Sequence, residues 1–209
     1  MASAVPDQEF AQLASEDQIA RTVQALNAHG IRTVVVETGE EARSRVLDLI
    51  PDGSEVYNSP SRSLESIGLE EDILHATRFV SVRVRGQALD FATQRREIQR
   101  LIASPDVLVG SVQAITEGGQ VLLASASGGQ LTPAAAGAGM VLWVVGSQKL
   151  VHTLEEGQRR IEAYCLPIED ERARKVYGQG SVINKLLIVN GEHVPGRITI
   201  VLVKQVLGV

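Results

Sequence analysis

The chain has 209 residues, 44% of them hydrophobic but only 3% aromatic, and its 20 basic and 25 acidic side chains give a formal net charge of −5. That length suits one domain with a core of aliphatic side chains and alanine. The composition excludes a disordered, collagen-like or disulfide-stapled chain, and the acidic balance argues against a general binder of nucleic acid or anionic membrane. The single cysteine, Cys165, has no partner for an internal disulfide, and without a CxxC no metal site is expected. It reads as a small buried hydrophobe near a helix end. The N-terminus shows no basic segment followed by an apolar stretch, so no secretory signal is expected. The longest apolar runs, Met140–Val145 and Ile198–Val203, are far shorter than the roughly 20 residues that cross a bilayer. A cytoplasmic protein is the resulting expectation.

In chain order, Ser15 and Gln18 have capping-box spacing, and Ile19, Val23 and Leu26 repeat at helical intervals before Gly30, so a helix is expected near residues 16–29. Ile31–Val36 reads as a strand. Thr38 and Glu41 open a second helix that Pro51 closes, and Glu55–Asn58 reads as a short strand. Ser63 is a candidate cap for a short helix ending at Gly68. Phe79–Arg85 alternates and reads as a strand or extended segment, and Phe91–Ala103 as a helix. Val107–Gly110, Gln120–Ala124 and Met140–Val145 are continuous aliphatic runs, the mark of strands covered on both faces. Thr132–Pro133 looks like a helix start. Helices follow at Leu154–Leu166 and Glu169–Tyr177, and strands at Lys185–Asn190 and Arg197–Lys204 around the turn Asn190–Gly191. This rhythm predicts an α/β fold with a mostly parallel central sheet flanked by helices. Residues 1–14 read as an N-terminal tail and 15–209 as a single domain.

Four segments carry a family resemblance. Asn58–Ser59–Pro60–Ser61–Arg62–Ser63–Leu64–Glu65–Ser66–Ile67–Gly68 resembles the serine-rich "S-x-T/S-L-x-x-I-G" segment of the LUD (lactate-utilisation) domain family. The stretch from Gly110 to Ser125 is similar to that family's "G-A-x-x-A-I-x-E-T/D-G" segment. Val141 to Val151, followed by Leu154–Glu155–Glu156–Gly157, resembles its "V-x-V-V-G-x-x-K-I-V-x-x-L-E-E" segment. The ending, from Leu166–Pro167–Ile168–Glu169 to Pro195–Gly196–Arg197–Ile198–Thr199, resembles the short stand-alone branch. The resemblance implies a fold similar to sugar-phosphate isomerases and coenzyme A transferases. It also implies a place in the oxidation of lactate to pyruvate, beside iron–sulfur subunits as partners. Where many members have Glu-Thr-Gly this chain has Glu117–Gly118–Gly119, which removes a hydroxyl. It lacks the cysteine-rich segments of larger LUD subunits, so no iron–sulfur centre of its own is expected.

Three loops are candidate site elements. Ser59, Ser61, Arg62 and Ser63 follow a strand and offer hydroxyls and a cation at a place where open α/β sheets hold ligands; equally, Ser63 is an ordinary helix cap and Pro60 an ordinary turn residue. Ser125, Ser127, Gly128 and Gly129 form a small polar loop after a strand, either an anion cradle or a tight crossover. Glu117 is a candidate catalytic acid–base or nucleophile at a cleft rim, or the turn of a hairpin. Arg83, Arg85, Arg95, Arg96 and Arg100 concentrate positive charge: mostly a solvated helix face, with one a candidate for an anionic substrate. Nucleotide P-loop, dinucleotide fingerprint and G-x-S-x-G elbow are absent from the sequence, and the four histidines lack metal spacing.

Together these readings give a LUD-type protein of lactate and organic-acid metabolism that binds a small anionic metabolite or cofactor, the cofactor's identity unassigned and catalysis not implied. One alternative is an isomerase-like or acyl-transfer enzyme using Glu117. Another is a non-catalytic assembly subunit for iron–sulfur partners. Homo-oligomers are allowed for; nucleic acid and membrane are not expected partners.

Overall fold

The computed structural model describes residues 5–209; residues 1–4 of the expected tail lie outside them. The chain order is α1 (Glu16–Ala28), β1 (Arg32–Val36), α2 (Gly39–Leu49), β2 (Glu55–Asn58), α3 (Arg62–Glu65), α4 (Leu69–His75), β3 (Val80–Ser81), α5 (Val82–Gln87) and α6 (Arg95–Ala103). It continues with β4 (Val107–Gly110), β5 (Ala114–Thr116), β6 (Val121–Ser125), β7 (Met140–Gly146), β8 (Leu150–Val151), α7 (Leu154–Arg160), α8 (Leu166–Tyr177), β9 (Lys185–Val189) and β10 (Ile198–Val203).

Six strands form one parallel sheet in the order β1-β10-β7-β4-β2-β3. The expected parallel α/β fold is therefore the one observed. A second, mixed sheet has the order β8-β5-β6-β9. Alternation along the central strands feeds two cores. Leu142, Val144, Val201 and Val203 pack with Val46, Leu64 and Ile73 of the helices on one face. Val141, Trp143, Val145, Ile200 and Leu202 face the other way, against α1 and against Ile115, Val121 and Leu123 of the second sheet. The far face of that second sheet, Ala114, Leu122 and Val151, packs on Ile161, Tyr164 and Cys165. Cys165 is buried as expected.

The local caps form as their chemistry requires. Ser15 Oγ accepts from the Gln18 N–H and Thr38 Oγ1 from the Glu41 N–H, 3.2 Å each. Several expectations need correction. Phe79–Arg85 is not a strand: only Val80–Ser81 pairs, and Ser81 then caps α5 by accepting from the Val84 N–H. The helix expected from Phe91 begins at Arg95, because Asp90 Oδ1 takes the Ala92 and Thr93 N–H groups into a turn. Thr132–Pro133 opens only a short π-helical turn, Pro133–Gly137. The last two strands do not pair with each other: β10 lies between β1 and β7, whereas β9 is the outer partner of β6.

The expected tail is also corrected, since residues 7–11 belong to the packed body. Phe10 is 6% exposed and sits in the third core, its ring lies under the Arg159 guanidinium, and Arg159 pairs with Asp7 and Glu9. The helix that receives them is continuous from α7 to α8 through a π-helical turn, Ile161–Cys165. Its cause is Pro167, which has no N–H for the Ala163 carbonyl four residues back. The Asp7 N–H fills that carbonyl instead, at 3.0 Å. Phe10→Ala is expected to cost about 3 kcal/mol in urea-unfolding free energy; an unchanged midpoint would mean the segment is a passenger.

Candidate functional site

The loops after β2, β4 and β7 leave the same edge of the parallel sheet. From β2 the chain moves outward to β3, and from β4 it moves inward to β7, so connections diverge between β2 and β4. Such a switch point opens a crevice at the carboxyl ends of the strands. A cleft of about 590 Å³ lies there. Ser59, Ser61, Arg62 and Ser63 line it from the β2 loop, Ser111 and Gln113 from the β4 loop, and Ser125, Ser127 and Gly129 from the loop after β6. The structure thus brings together the two serine-rich loops that the sequence separates by more than sixty residues. Within the cleft the ends of β2 and β4 approach so closely that a side chain at Gly110 would meet Ser59 Oγ at 2.7 Å.

Individual roles differ from the expected ones. Ser61, not Ser63, occupies the N-cap position of α3, and its hydroxyl makes no cap bond. Ser63 Oγ instead donates to the Leu207 carbonyl at 3.1 Å and accepts from Lys149 Nζ at 3.0 Å. In the other loop, the Gly128 N–H is taken internally by Ser125 Oγ at 2.9 Å; Gly128 is not in the lining, which weakens the backbone-cradle reading there. Arg83 lines the cleft, paired with Glu70 at 2.8 Å, while Arg95, Arg96 and Arg100 sit on α6, which buries none of its residues. The four histidines are exposed.

Glu117 is not in the cleft. It follows β5 at the turn of the β5–β6 hairpin, where Gly119 adopts φ +81° and the Gly119 N–H bonds the Thr116 carbonyl. The cleft touches the other end of that hairpin, at Gln113 and Ala124, and four residues of strand separate them by roughly 13 Å. Glu117 is held by Arg21 at 2.9 Å and by His152 at 2.6 Å. Hydrogen bonding from Arg21 foremost keeps its carboxyl below the ordinary range. The geometry makes it the hairpin-turn residue and separates it from the serine loops.

Lys149 is the site residue that sequence reasoning missed. It follows β7 in a 3-10 turn, Ser147–Lys149, is 2% exposed, and lines the cleft. Nζ donates to Ser63 Oγ, to Ser111 Oγ at 3.1 Å and to the Val112 carbonyl at 3.2 Å. All three acceptors are neutral. Behind it Arg160, fully buried, donates to the Gln113 carbonyl and to Cys165 Sγ at 3.1 Å and lies over the Tyr164 ring, 5.1 Å from its centroid; its Nε and Nη2 have no hydrogen-bond partner among the described residues. Neither cation forms an ion pair with a carboxylate among the described residues. Burial first, and then the Arg160 charge, bring Lys149 down to about 7; burial likewise pushes the Cys165 thiol up. The one sequence signal was the lysine closing the run Val141–Lys149, three residues after a strand-end glycine.

A family model described as the LUD domain matches residues 19–203. The crystal structure of a DUF162 family protein from Deinococcus radiodurans aligns with a TM-score of 0.57, covering 92% of this chain and 99% of that one at 13% identity; at that identity the likeness shows the fold. No curated protein matches the chain. No helix among the described residues is long and apolar enough to cross a membrane.

Two substitutions test the electrostatics. Between pH 7 and the ordinary lysine range the unfolded chain binds the proton that folded Lys149 has lost, so this residue's burial penalty is largest below pH 7 and fades as pH rises. Lys149→Met is expected to stabilise the fold by about 1–4 kcal/mol below pH 7, the gain shrinking at higher pH; urea titrations across that range measure it, and a pH-independent difference would contradict it. Glu117→Gln is expected to cost about 0.5–1 kcal/mol near neutral pH. Its carboxylate contributes above the ordinary carboxyl range, and that contribution is lost as pH falls through its lowered value. The variant and wild-type unfolding curves should therefore converge in acid.

Proposed function

The chain belongs to the LUD domain family, and from that premise we propose that it serves lactate-type organic-acid utilisation by binding a small organic anion in the cleft over Lys149. The observation that carries this reading is the pair of buried cations, Lys149 and Arg160, set at and behind the cleft, neither of them ion-paired with a carboxylate among the described residues, whereas Glu70 and Glu169 in the cleft lining are paired with Arg83 and Arg172. Burying a cation is costly unless something pairs with it. An entering carboxylate or phosphate supplies that charge and finds hydroxyls at Ser59, Ser61 and Ser111, with Arg62 at the wall.

The alternative enzyme reading through Glu117 loses support, because that carboxylate is engaged at the far end of the hairpin. Within the cleft, Lys149 is the candidate for chemistry that the geometry favours. Service beside iron–sulfur subunits remains a proposal drawn from the family, with the same cleft as the metabolite's seat. Cytoplasmic localisation likewise rests on the sequence.

Thermal unfolding with lactate, pyruvate, ribose 5-phosphate and acetyl-coenzyme A tests the reading. A true ligand present at 100 times its Kd should add about 2.7 kcal/mol of stability, on the order of 5–10 °C in Tm for a domain of this size. The shift should disappear in Lys149→Met and persist in Glu117→Gln. The absence of a shift with every anion would reject the proposal.

A further inference from the structure

The neighbours of Lys149 prescribe more than charge recognition. Its ammonium form has three N–H groups for three oxygens, but its neutral form has two and a lone pair. The Ser63 hydroxyl proton is committed to the Leu207 carbonyl, so Ser63 Oγ is left as an acceptor toward Nζ. The Val112 carbonyl can only accept. These two take the two N–H groups of the amine. The lone pair then faces Ser111 Oγ, 3.1 Å away, whose hydroxyl has no other partner among the described residues. The neutral amine is thus satisfied without rearrangement, and one hydroxyl stands on its lone pair.

Resting on the reading of the cleft as a site for small anions, we propose that Lys149 is a nucleophile that forms an imine with an anionic carbonyl compound, and that Ser111 positions the proton it exchanges. The compound is a 2-oxo acid or an open-chain sugar phosphate; both join a carbonyl to an anionic group. Burial brings Lys149 down to about 7, so the free amine that a nucleophilic lysine requires is accessible near neutral pH. Swinging the Ser111 hydroxyl aside frees the lone pair to attack the carbonyl carbon. The C–N bond forms, the carbonyl π pair moves to oxygen, and that oxygen gains a proton as nitrogen loses one. The resulting hydroxyl then takes a proton from solvent by way of Ser111 and leaves as water, while the nitrogen lone pair closes the C=N bond as the protonated imine, which becomes the neutral imine by returning that proton. One water is released, and no oxidant or reductant is consumed. Arg160, behind the amine, favours both the unprotonated lysine and the negative charge that develops on oxygen during attack.

Reductive trapping tests this. Wild-type protein is incubated with cyanoborohydride and either pyruvate or ribose 5-phosphate, with lactate and inorganic phosphate as carbonyl-free controls, then analysed by intact mass and peptide mapping. One adduct per chain on Lys149, with either carbonyl compound, supports the proposal and names the source; the controls should give none. No adduct, or adducts confined to the exposed Lys175 and Lys185, overturns it. If lactate or phosphate still raises Tm in that case, anion binding stands and the imine alone is lost. Lys149→Met should abolish the adduct, and if that variant does not fold, mapping on the wild-type chain decides alone. Ser111→Ala should slow trapping on the order of 10²-fold and displace its pH profile, which a purely structural serine would leave in place.

Discussion

A buried lysine that meets only neutral oxygens is the constraint on which the rest of this cleft depends. Its position is set by four strand ends at once. Gln148, next in the chain, exchanges two hydrogen bonds with the Leu207 backbone, Nε2 to carbonyl at 2.9 Å and N–H to Oε1 at 3.3 Å. The same Leu207 carbonyl receives the Ser63 hydroxyl. Ser63 and Ser111 then hold Nζ. The segments following β2, β4, β7 and β10 are therefore tied into one network, and moving any one of them unpairs a buried polar group. A neutral amine survives in such a network where a full charge is penalised, because desolvation disfavours the charged form alone.

Topology explains why the network exists. All six strands of the main sheet point the same way, so their outgoing loops share an edge. The second sheet is built from connections between main-sheet strands: β5 and β6 between β4 and β7, and β8 and β9 between β7 and β10. It lies over the main sheet on a shared aliphatic core. Its hairpin turns the two ends to opposite functions. The open end delivers Gln113 and the Ser125 loop to the cleft. The closed end delivers Glu117 to Arg21 and His152, where it ties the hairpin to α1.

The parts of this arrangement that were legible in sequence are those decided locally. Ser15 with Gln18 and Thr38 with Glu41 cap helices through bonds spanning three residues, and the aliphatic runs at β4, β7 and β10 require cover on both faces wherever they lie. Pairing was not legible. Asn190–Gly191 suggests a hairpin, yet β10 is buried throughout and takes a central place, while half-exposed β9 takes an edge. The alternation at Val80–Arg85 mimics a strand because the Ser81 cap outweighs it only in context. The serine loops were found because strand-end loops of a parallel sheet converge by rule. Lys149 was missed because a lysine is by default a surface residue, and nothing in its neighbours in sequence reveals Ser63 and Ser111, which come from 86 and 38 residues away.

The back wall of the cleft follows from a single covalent fact at Pro167. Without an N–H there, the helix takes a π-helical turn, and such a turn swings side chains off the regular helical stripe. Ile161, Cys165 and Leu166 are thereby presented to the cleft, while Arg160, one residue before, is set behind Gln113. The carbonyl that proline leaves open is filled by the Asp7 N–H, which brings Phe10 against Ile161, Tyr164 and Cys165. The N-terminal segment therefore braces the wall that encloses the buried cations, on the side away from any ligand. Its hydrophobic contact and its bond to Ala163 act on the same turn. The wall's firmness is thus a property of residues at opposite ends of the chain, joined because one proline cannot donate a hydrogen bond.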